Sequence, residues 1–145
     1  MRILRLILGD QLNIHHSWFR NVNDEVIYIL MEIKQETNYV LHHAQKIIAI
    51  FAAMRNFKED LLKRNHQVIY IKISETSNQQ SFKLNLKSLI EKYHIQKFEY
   101  QEPDELRVDS DLKYFCNEIN IPSQMFSSEH FYTERSEVNN LFKEK

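Results

Sequence analysis

Short apolar runs alternate with segments of helical periodicity along this chain, and this alternation limits its fold more narrowly than any other feature. Residues 3–8 and 26–31 are brief runs rich in isoleucine and leucine, which is typical of strands buried on both faces. Similar runs follow at residues 67–73, at 97–102 and, more weakly, at 123–128. The sequence therefore predicts a sheet of four or five strands.

The segments between these runs have the periodicity of amphipathic helices. In the longest of them, between the second and third strands, apolar residues recur every three or four positions: Val40, Ala44, Ile47, Phe51, Met54, Phe57 and Leu61. Residues 81–94 and 104–119 have helical patterns of the same kind. Strands that alternate with helices pair in parallel through right-handed crossovers, so we predict one α/β domain with an open parallel sheet and helices on both faces.

The composition excludes several classes of protein. The 19 basic and 20 acidic residues leave a net charge of -1, without the basic field of an autonomous nucleic-acid-binding domain, so we expect no direct nucleic-acid binding. The single cysteine, Cys116, cannot form an internal disulfide or a multi-thiolate metal site, which favours a reducing, cytoplasmic setting. No apolar run approaches the ~20 residues of a membrane span, so we expect no membrane association.

Acidic and amide side chains follow the predicted strands. Ligands of open α/β sheets bind at the carboxyl ends of the strands, so these residues mark the expected site. They are Asp10, Gln11, Glu32, Glu36, Glu102, Asp104 and Glu105. Glycine-rich phosphate loops are absent, since Gly9 is the only glycine of the chain. Such a rim suits a polyol, a heterocycle with polar edges, or a hard cation.

Two explanations of Gly9 remain open at the level of sequence. It could let the chain turn and a ligand approach the backbone, while Asp10 and Gln11 offer polar contacts. Alternatively, the glycine serves only the turn and the aspartate caps a following helix.

Three polar residues share the core-facing stripe of the long helix. Glu36, Tyr39 and His43 lie three and four positions apart, in line with Ile47. A polar group buried without a partner costs roughly 1–3 kcal/mol, so a bound ligand or nearby protein groups must satisfy them. By contrast, we expect the adjacent His15 and His16 at the surface, and Arg55 on an ordinary solvated helix face.

Four segments together resemble a known family: LRLILGDQLN, HSWF, MEIKQETNYVLHHAQKIIAIFAAMRNF and EPDELRV. They resemble the N-terminal region of the deoxyribodipyrimidine photolyase-related proteins, the prokaryotic iron–sulfur branch of the cryptochrome/photolyase family. The resemblance implies that residues 1–145 are a Rossmann-like antenna domain that holds 6,7-dimethyl-8-ribityllumazine. It also implies a helical FAD domain as partner, which carries the [4Fe-4S] cluster and the DNA-lesion site in proteins that repair (6-4) photoproducts or sense light.

The resemblance assigns residues to the chromophore site. The first loop, Gly9, Asp10, Gln11 and Leu12, would line the chromophore. Glu32, Glu36 and Tyr39 would hydrogen-bond it, Ile50 would form an apolar wall, and Glu102 would add a contact. Because 145 residues contain no counterpart of the helical part, and Cys116 is the only cysteine, this chain alone is not expected to hold FAD or the cluster, or to catalyse repair.

Two other functions stay open. The acidic strand ends Asp10, Glu32 and Glu102 could bind Mg²⁺ in a metal-dependent hydrolase or phosphotransfer domain. Alternatively, the apolar C-terminal segment, which includes Phe131 and Leu141, could be an interaction surface of a domain without a ligand.

Overall fold

A five-stranded parallel sheet forms the centre of the molecule, as predicted. The computed structural model describes residues 1–34, 44–131 and 135–137. The strands are β1 (Ile3–Leu6), β2 (Val26–Met31), β3 (Gln67–Ile71), β4 (Lys97–Gln101) and β5 (Ser123–Phe126). Their order across the sheet is β3-β2-β1-β4-β5, and every neighbouring pair is parallel. The α/β, Rossmann-like prediction is therefore confirmed.

Helices cover both faces of this sheet, as the sequence predicted. The helices are α1 (Ala44–Lys63), α2 (Phe82–Lys92) and α3 (Leu106–Glu118), together with a short 3₁₀ helix (Ser17–Phe19). On one face, Leu86 of α2 and Phe115 of α3 pack on Leu4 and Leu6 of β1. On the other, the α1 and 3₁₀ helices pack on Tyr28 and Leu30 of β2. Every residue of β2 is buried, which explains its uninterrupted apolar run.

A charged pair lies within the sheet itself, on the face that carries the 3₁₀ helix. Arg5 of β1 and Glu99 of β4 are partners in the strand register, and Arg5 Nε donates to Glu99 Oε2 at 2.7 Å. The Lys97 ammonium lies 2.7 Å from the other Glu99 oxygen. The Arg5 guanidinium also lies 4.8 Å from the centre of the Trp18 ring. The buried Glu99 carboxylate is thus paired on both oxygens.

His16 is buried, so the expectation of a surface histidine is wrong for this residue. Its Nδ1 accepts a hydrogen bond from the Trp18 amide at 3.1 Å, and its Nε2 lies 2.9 Å from the Ser127 carbonyl oxygen. The ring therefore ties the 3₁₀ helix to the segment that follows β5. His15, in contrast, is exposed as expected. Within the described part of the chain, no helix is long and apolar enough to cross a membrane.

Candidate functional site

A cavity opens at the carboxyl edge of the sheet, where the strand order changes direction. From β1 the chain continues to β2 and β3 on one side, and β4 and β5 lie on the other side. The ends of β1 and β4 therefore diverge into the crevice where open α/β sheets bind ligands. The cavity has a volume of about 320 Å³, within the ~300–1,000 Å³ of small-molecule sites. Among the described residues, its lining is Leu8, Gly9, Asp10, Met31, Ile33, Lys46, Ile47, Ile50, Phe51, Met54, Phe82, Pro103, Glu105 and Val108.

Gly9 is required for close packing rather than for an unusual backbone angle. Its φ is not positive, so an L-residue could adopt this conformation. A Cβ at this position would lie 3.2 Å from Ile50 Cγ2 and 3.3 Å from Met54 Sδ. The absence of a side chain thus lets α1 approach the end of β1 and leaves the cavity floor open.

The charged groups of the cavity are mostly acidic. Asp10 and Glu105 line it, together with the Lys46 ammonium side chain. The pKa of Asp10 is raised, mainly because surrounding protein keeps water from its carboxyl, and further because the Asp104 and Glu105 carboxylates lie nearby. A backbone hydrogen bond and His130 oppose this rise. This rim favours ligands that donate hydrogen bonds over phosphorylated ligands.

Gln11 joins the ends of the two diverging strands. Its side chain is buried, and Oε1 accepts a hydrogen bond from the Leu8 amide at 3.1 Å. Its Nε2 lies 3.3 Å from the carbonyl oxygens of both Gln101 and Glu102. Gln11 therefore connects the segments that follow β1 and β4 beside the cavity, although it does not line the cavity itself. Leu12 also lies outside the lining and packs on the α1 face of the sheet.

Glu32 comes directly after β2, and its carboxylate is fully buried and used by protein groups. Oε1 accepts from Arg55 Nε at 2.7 Å and from the Tyr70 hydroxyl at 2.6 Å. Oε2 accepts from Arg55 Nη2 and from the Ile73 amide, both at 3.0 Å. Burial acts to raise the pKa of Glu32, but these hydrogen bonds outweigh it and lower that pKa.

Arg55 is exposed as expected, but it is not an ordinary solvated residue, because its guanidinium pairs with the buried Glu32 carboxylate. The sequence pattern places Met54 on the core-facing stripe of the helix and Arg55 beside that stripe. A charged residue in such a position is usually in contact with solvent alone. The partner of Arg55, Glu32, is 23 positions away, and only the folded sheet brings the two side chains together. A strand-end carboxylate that is buried needs a cation, which is the signal that could have pointed to Arg55.

Glu102 lies at the end of β4, beside the cavity but outside its lining. Its amide donates to the Phe126 carbonyl at 2.8 Å, and its Oε1 lies 3.3 Å from Arg135 Nη1. Arg135 also donates to the carbonyl of Pro103, which does line the cavity. Glu102 thus helps to hold the loop after β4 in place through its contacts with Phe126 and Arg135.

The structure gathers Gly9, Asp10 and Ile50 around one cavity and places Gln11, Leu12, Glu32 and Glu102 around its periphery. The predicted site residues Glu36 and Tyr39 lie outside the described residues, as does His43. The cavity residues that sequence reasoning did not assign to the site include Lys46, Phe82, Pro103 and Val108. They come from three different segments; Lys46, Pro103 and Val108 lie within stretches that carry the family resemblance, but nothing there assigned them to the site.

Protein groups already engage two of the three carboxylates considered for Mg²⁺. The described residues include no group of three or more histidine, cysteine, aspartate or glutamate side chains placed to hold one. Of the three carboxylates considered for Mg²⁺, Glu32 is already bound by Arg55, Tyr70 and Ile73, and Glu102 faces Arg135.

Fold and cavity together define an α/β protein of the doubly wound class with a cavity at its switch point. The family model of the deoxyribodipyrimidine photo-lyase-related proteins matches residues 5–145, and the chain belongs to this family. It is also 33% identical over 141 residues to a (6-4) photolyase of Agrobacterium fabrum strain C58. That match covers 97% of this chain but only 28% of the length of the relative.

Proposed function

We propose that residues 1–145 form a single antenna domain of a photolyase-related protein and bind 6,7-dimethyl-8-ribityllumazine at the carboxyl edge of the sheet. One observation carries the proposal: the cavity at the switch point is lined by Gly9, Asp10 and Ile50, three residues that the family resemblance assigns to the chromophore. The Agrobacterium fabrum relative is a (6-4) photolyase, which supports a role in light-driven DNA repair for the protein to which such a domain belongs.

The lining suits the chemistry of this chromophore. Ile50, Phe51 and Val108 offer apolar surfaces to the faces of a flat heterocycle. The Asp10 and Glu105 carboxylates at the same cavity accept hydrogen bonds, which suits the hydroxyl groups of a ribityl chain. Lumazine carries no phosphate, in keeping with an acidic rim. Glu36 and Tyr39 are proposed to add hydrogen bonds from the segment that precedes α1.

The bound lumazine would absorb blue or near-ultraviolet light and pass the excitation to a flavin in the helical part of the protein. This transfer depends on distance and orientation, so the contribution of the chain is to hold the ring in one position. The residues of this domain would perform no bond chemistry. FAD and the [4Fe-4S] cluster are assigned to the helical part, DNA contact is assigned there as well, and the single cysteine favours a cytoplasmic setting.

Titration with lumazine tests the proposal. The purified chain should bind it with a change in absorption and fluorescence, and Ile47→Trp should weaken binding more than ten-fold because the indole fills the cavity. Ile48→Trp is the matched control: the neighbouring residue of α1 is 66% exposed and lies outside the cavity lining. Equal affinities for the two variants, or no binding by the unmodified chain, would contradict the proposal.

The same preparation separates this function from a metal-dependent hydrolase. Addition of Mg²⁺ or Mn²⁺ should leave lumazine binding unchanged and should produce no hydrolysis of phosphate esters. Divalent-dependent hydrolysis that Asp10→Asn abolishes would favour the metal alternative instead.

A further inference from the structure

The ion pair between Glu32 and Arg55 occupies an unusual place in the fold. It joins the end of β2 to the middle of α1, and the Tyr70 and Ile73 hydrogen bonds connect the same carboxylate to β3 and the loop that follows. The Glu32 side chain is 0% exposed, whereas 46% of the Arg55 side chain is exposed. Three separate segments therefore meet at one carboxylate.

Stability alone gives a poor account of such a pair. Taking a carboxylate out of water is costly, and its attraction to an arginine often does no more than offset that cost. A buried ion pair is therefore weak evidence for a stabilising role. What a two-bond pair provides is geometry, because two parallel hydrogen bonds hold the planar guanidinium and the carboxylate nearly coplanar and limit their relative orientation.

The element that this pair orients is the wall of the cavity. Arg55 follows Met54 directly on α1, and Met54, Phe51 and Ile50 line the cavity. At Gly9, the same helix packs closely on the segment after β1, where a Cβ would lie 3.2 Å from Ile50 Cγ2 and 3.3 Å from Met54 Sδ. The position of α1 is thus limited by steric contact on the side of β1 and by directed hydrogen bonds on the side of β3.

We propose that Glu32 and Arg55 are positioning residues for the ligand cavity: their two-bond pair holds α1 at the separation from the sheet edge that gives the cavity its width. The inference rests on the proposed function for its ligand. It also assigns Glu32 a role different from direct hydrogen bonding to the chromophore.

The test replaces each of the two arginines that pair with the buried glutamates Glu32 and Glu99 by lysine. Arg55→Lys keeps the charge but loses the two-bond geometry, and should weaken lumazine binding roughly ten-fold, which corresponds to 1.4 kcal/mol. Arg5→Lys makes the same chemical change at the Arg5–Glu99 pair, away from the cavity, and should leave the affinity within two-fold. Equal affinities for the two variants would overturn the inference.

Hydrogen exchange gives a readout that needs no ligand. In Arg55→Lys, the backbone amides of Ile50 to Met54 should exchange faster than in the unmodified chain, relative to the amides of α2. Unchanged exchange in α1 would overturn the positioning role. Absence of lumazine binding by the unmodified chain, with faster α1 exchange in the variant, would instead reject the proposed function and retain the positioning role of the pair.

Discussion

Two buried glutamates of this molecule are paired with arginines, yet the two pairs do different things. Glu99 and Arg5 occupy facing positions on β4 and β1, whose separation the backbone ladder already sets. Glu32 and Arg55 join a strand end to a helix. Among the described residues, no backbone hydrogen bond connects β2 to α1. The same kind of ion pair thus neutralises the buried Glu99 carboxylate in the first case, whereas in the second it neutralises Glu32 and also positions α1. The consequence of an ion pair depends on what else holds its partners.

Removal of either carboxylate should produce the largest effect and separate the two roles. Glu99→Leu leaves the Arg5 guanidinium largely buried and unpaired, and should lower the free energy of unfolding by about 3 kcal/mol. The folded variant should bind lumazine almost as tightly as the unmodified chain. Glu32→Leu should cost a similar amount of stability and weaken binding as well. Denaturant unfolding followed by the fluorescence of Trp18, the only tryptophan, measures stability, and titration measures affinity.

If both variants lost affinity in proportion to stability, the distinction between the two pairs would be wrong.

An intermediate loss of stability is expected from substitutions at the contact between Gly9 and α1, on the opposite side of this helix from the Glu32–Arg55 pair. Gly9→Val places methyl groups against Ile50 and Met54, and should lower the free energy of unfolding by about 1–3 kcal/mol as α1 is pushed outward. Ile50→Ala removes the methyl group nearest to Gly9, so the double variant should be more stable than the sum of the two single effects predicts. Strict additivity in this double-mutant cycle would show that Gly9 and Ile50 do not limit the helix position.

The smallest expected effect is on the pH dependence of the free energy of unfolding, and it arises near the Arg5–Glu99 pair. His66 packs against the rings of Tyr28 and Phe19, and burial there lowers its pKa below the ordinary 6.5. The folded state therefore disfavours the protonated ring, so its contribution to stability is complete above pH 6.5 and falls as the pH drops below that value. His66→Phe should show a smaller loss of stability between pH 7.5 and 5.5 than the unmodified chain.

The exposed His15 provides the control, since His15→Phe should keep the original pH dependence. Ligand affinity should not follow the His66 titration, because this ring lies outside the cavity lining. A pH dependence that is identical in both variants would contradict the assignment to His66.

The fold was predictable because four of its five strands and its three α-helices have clear local signatures, whereas β5 was only weakly indicated and the 3₁₀ helix was not predicted. The apolar runs at β1 and β2 and the periodicity of α1 depend on residues that are near one another in the sequence. The edge of the sheet that carries the site followed from the same pattern, since Asp10 and Gln11 come directly after β1. Topology then places these residues at the switch point without any knowledge of side-chain contacts.

The partners of the polar residues were not predictable in the same way. Gln11 bonds to carbonyls 90 and 91 positions away, and Glu32 bonds to Arg55, Tyr70 and Ile73. Sequence reasoning could say that these side chains needed partners but not whether a ligand or the protein would supply them. Gly9 illustrates the same limit, because its role depends on the distance to Ile50 and Met54, which lie 41 and 45 positions later in the sequence.

Hydrogen exchange with and without bound lumazine tests the central claim most directly. If the chromophore occupies the cavity at the switch point, it should slow exchange at the backbone amides of residues 8–10, of Lys46 to Met54 and of residues 105–108, the segments that line the cavity. The distant end of α2, around Lys92, should exchange at an unchanged rate. Protection confined to segments outside this lining, or no protection at lumazine concentrations that saturate binding, would contradict the account.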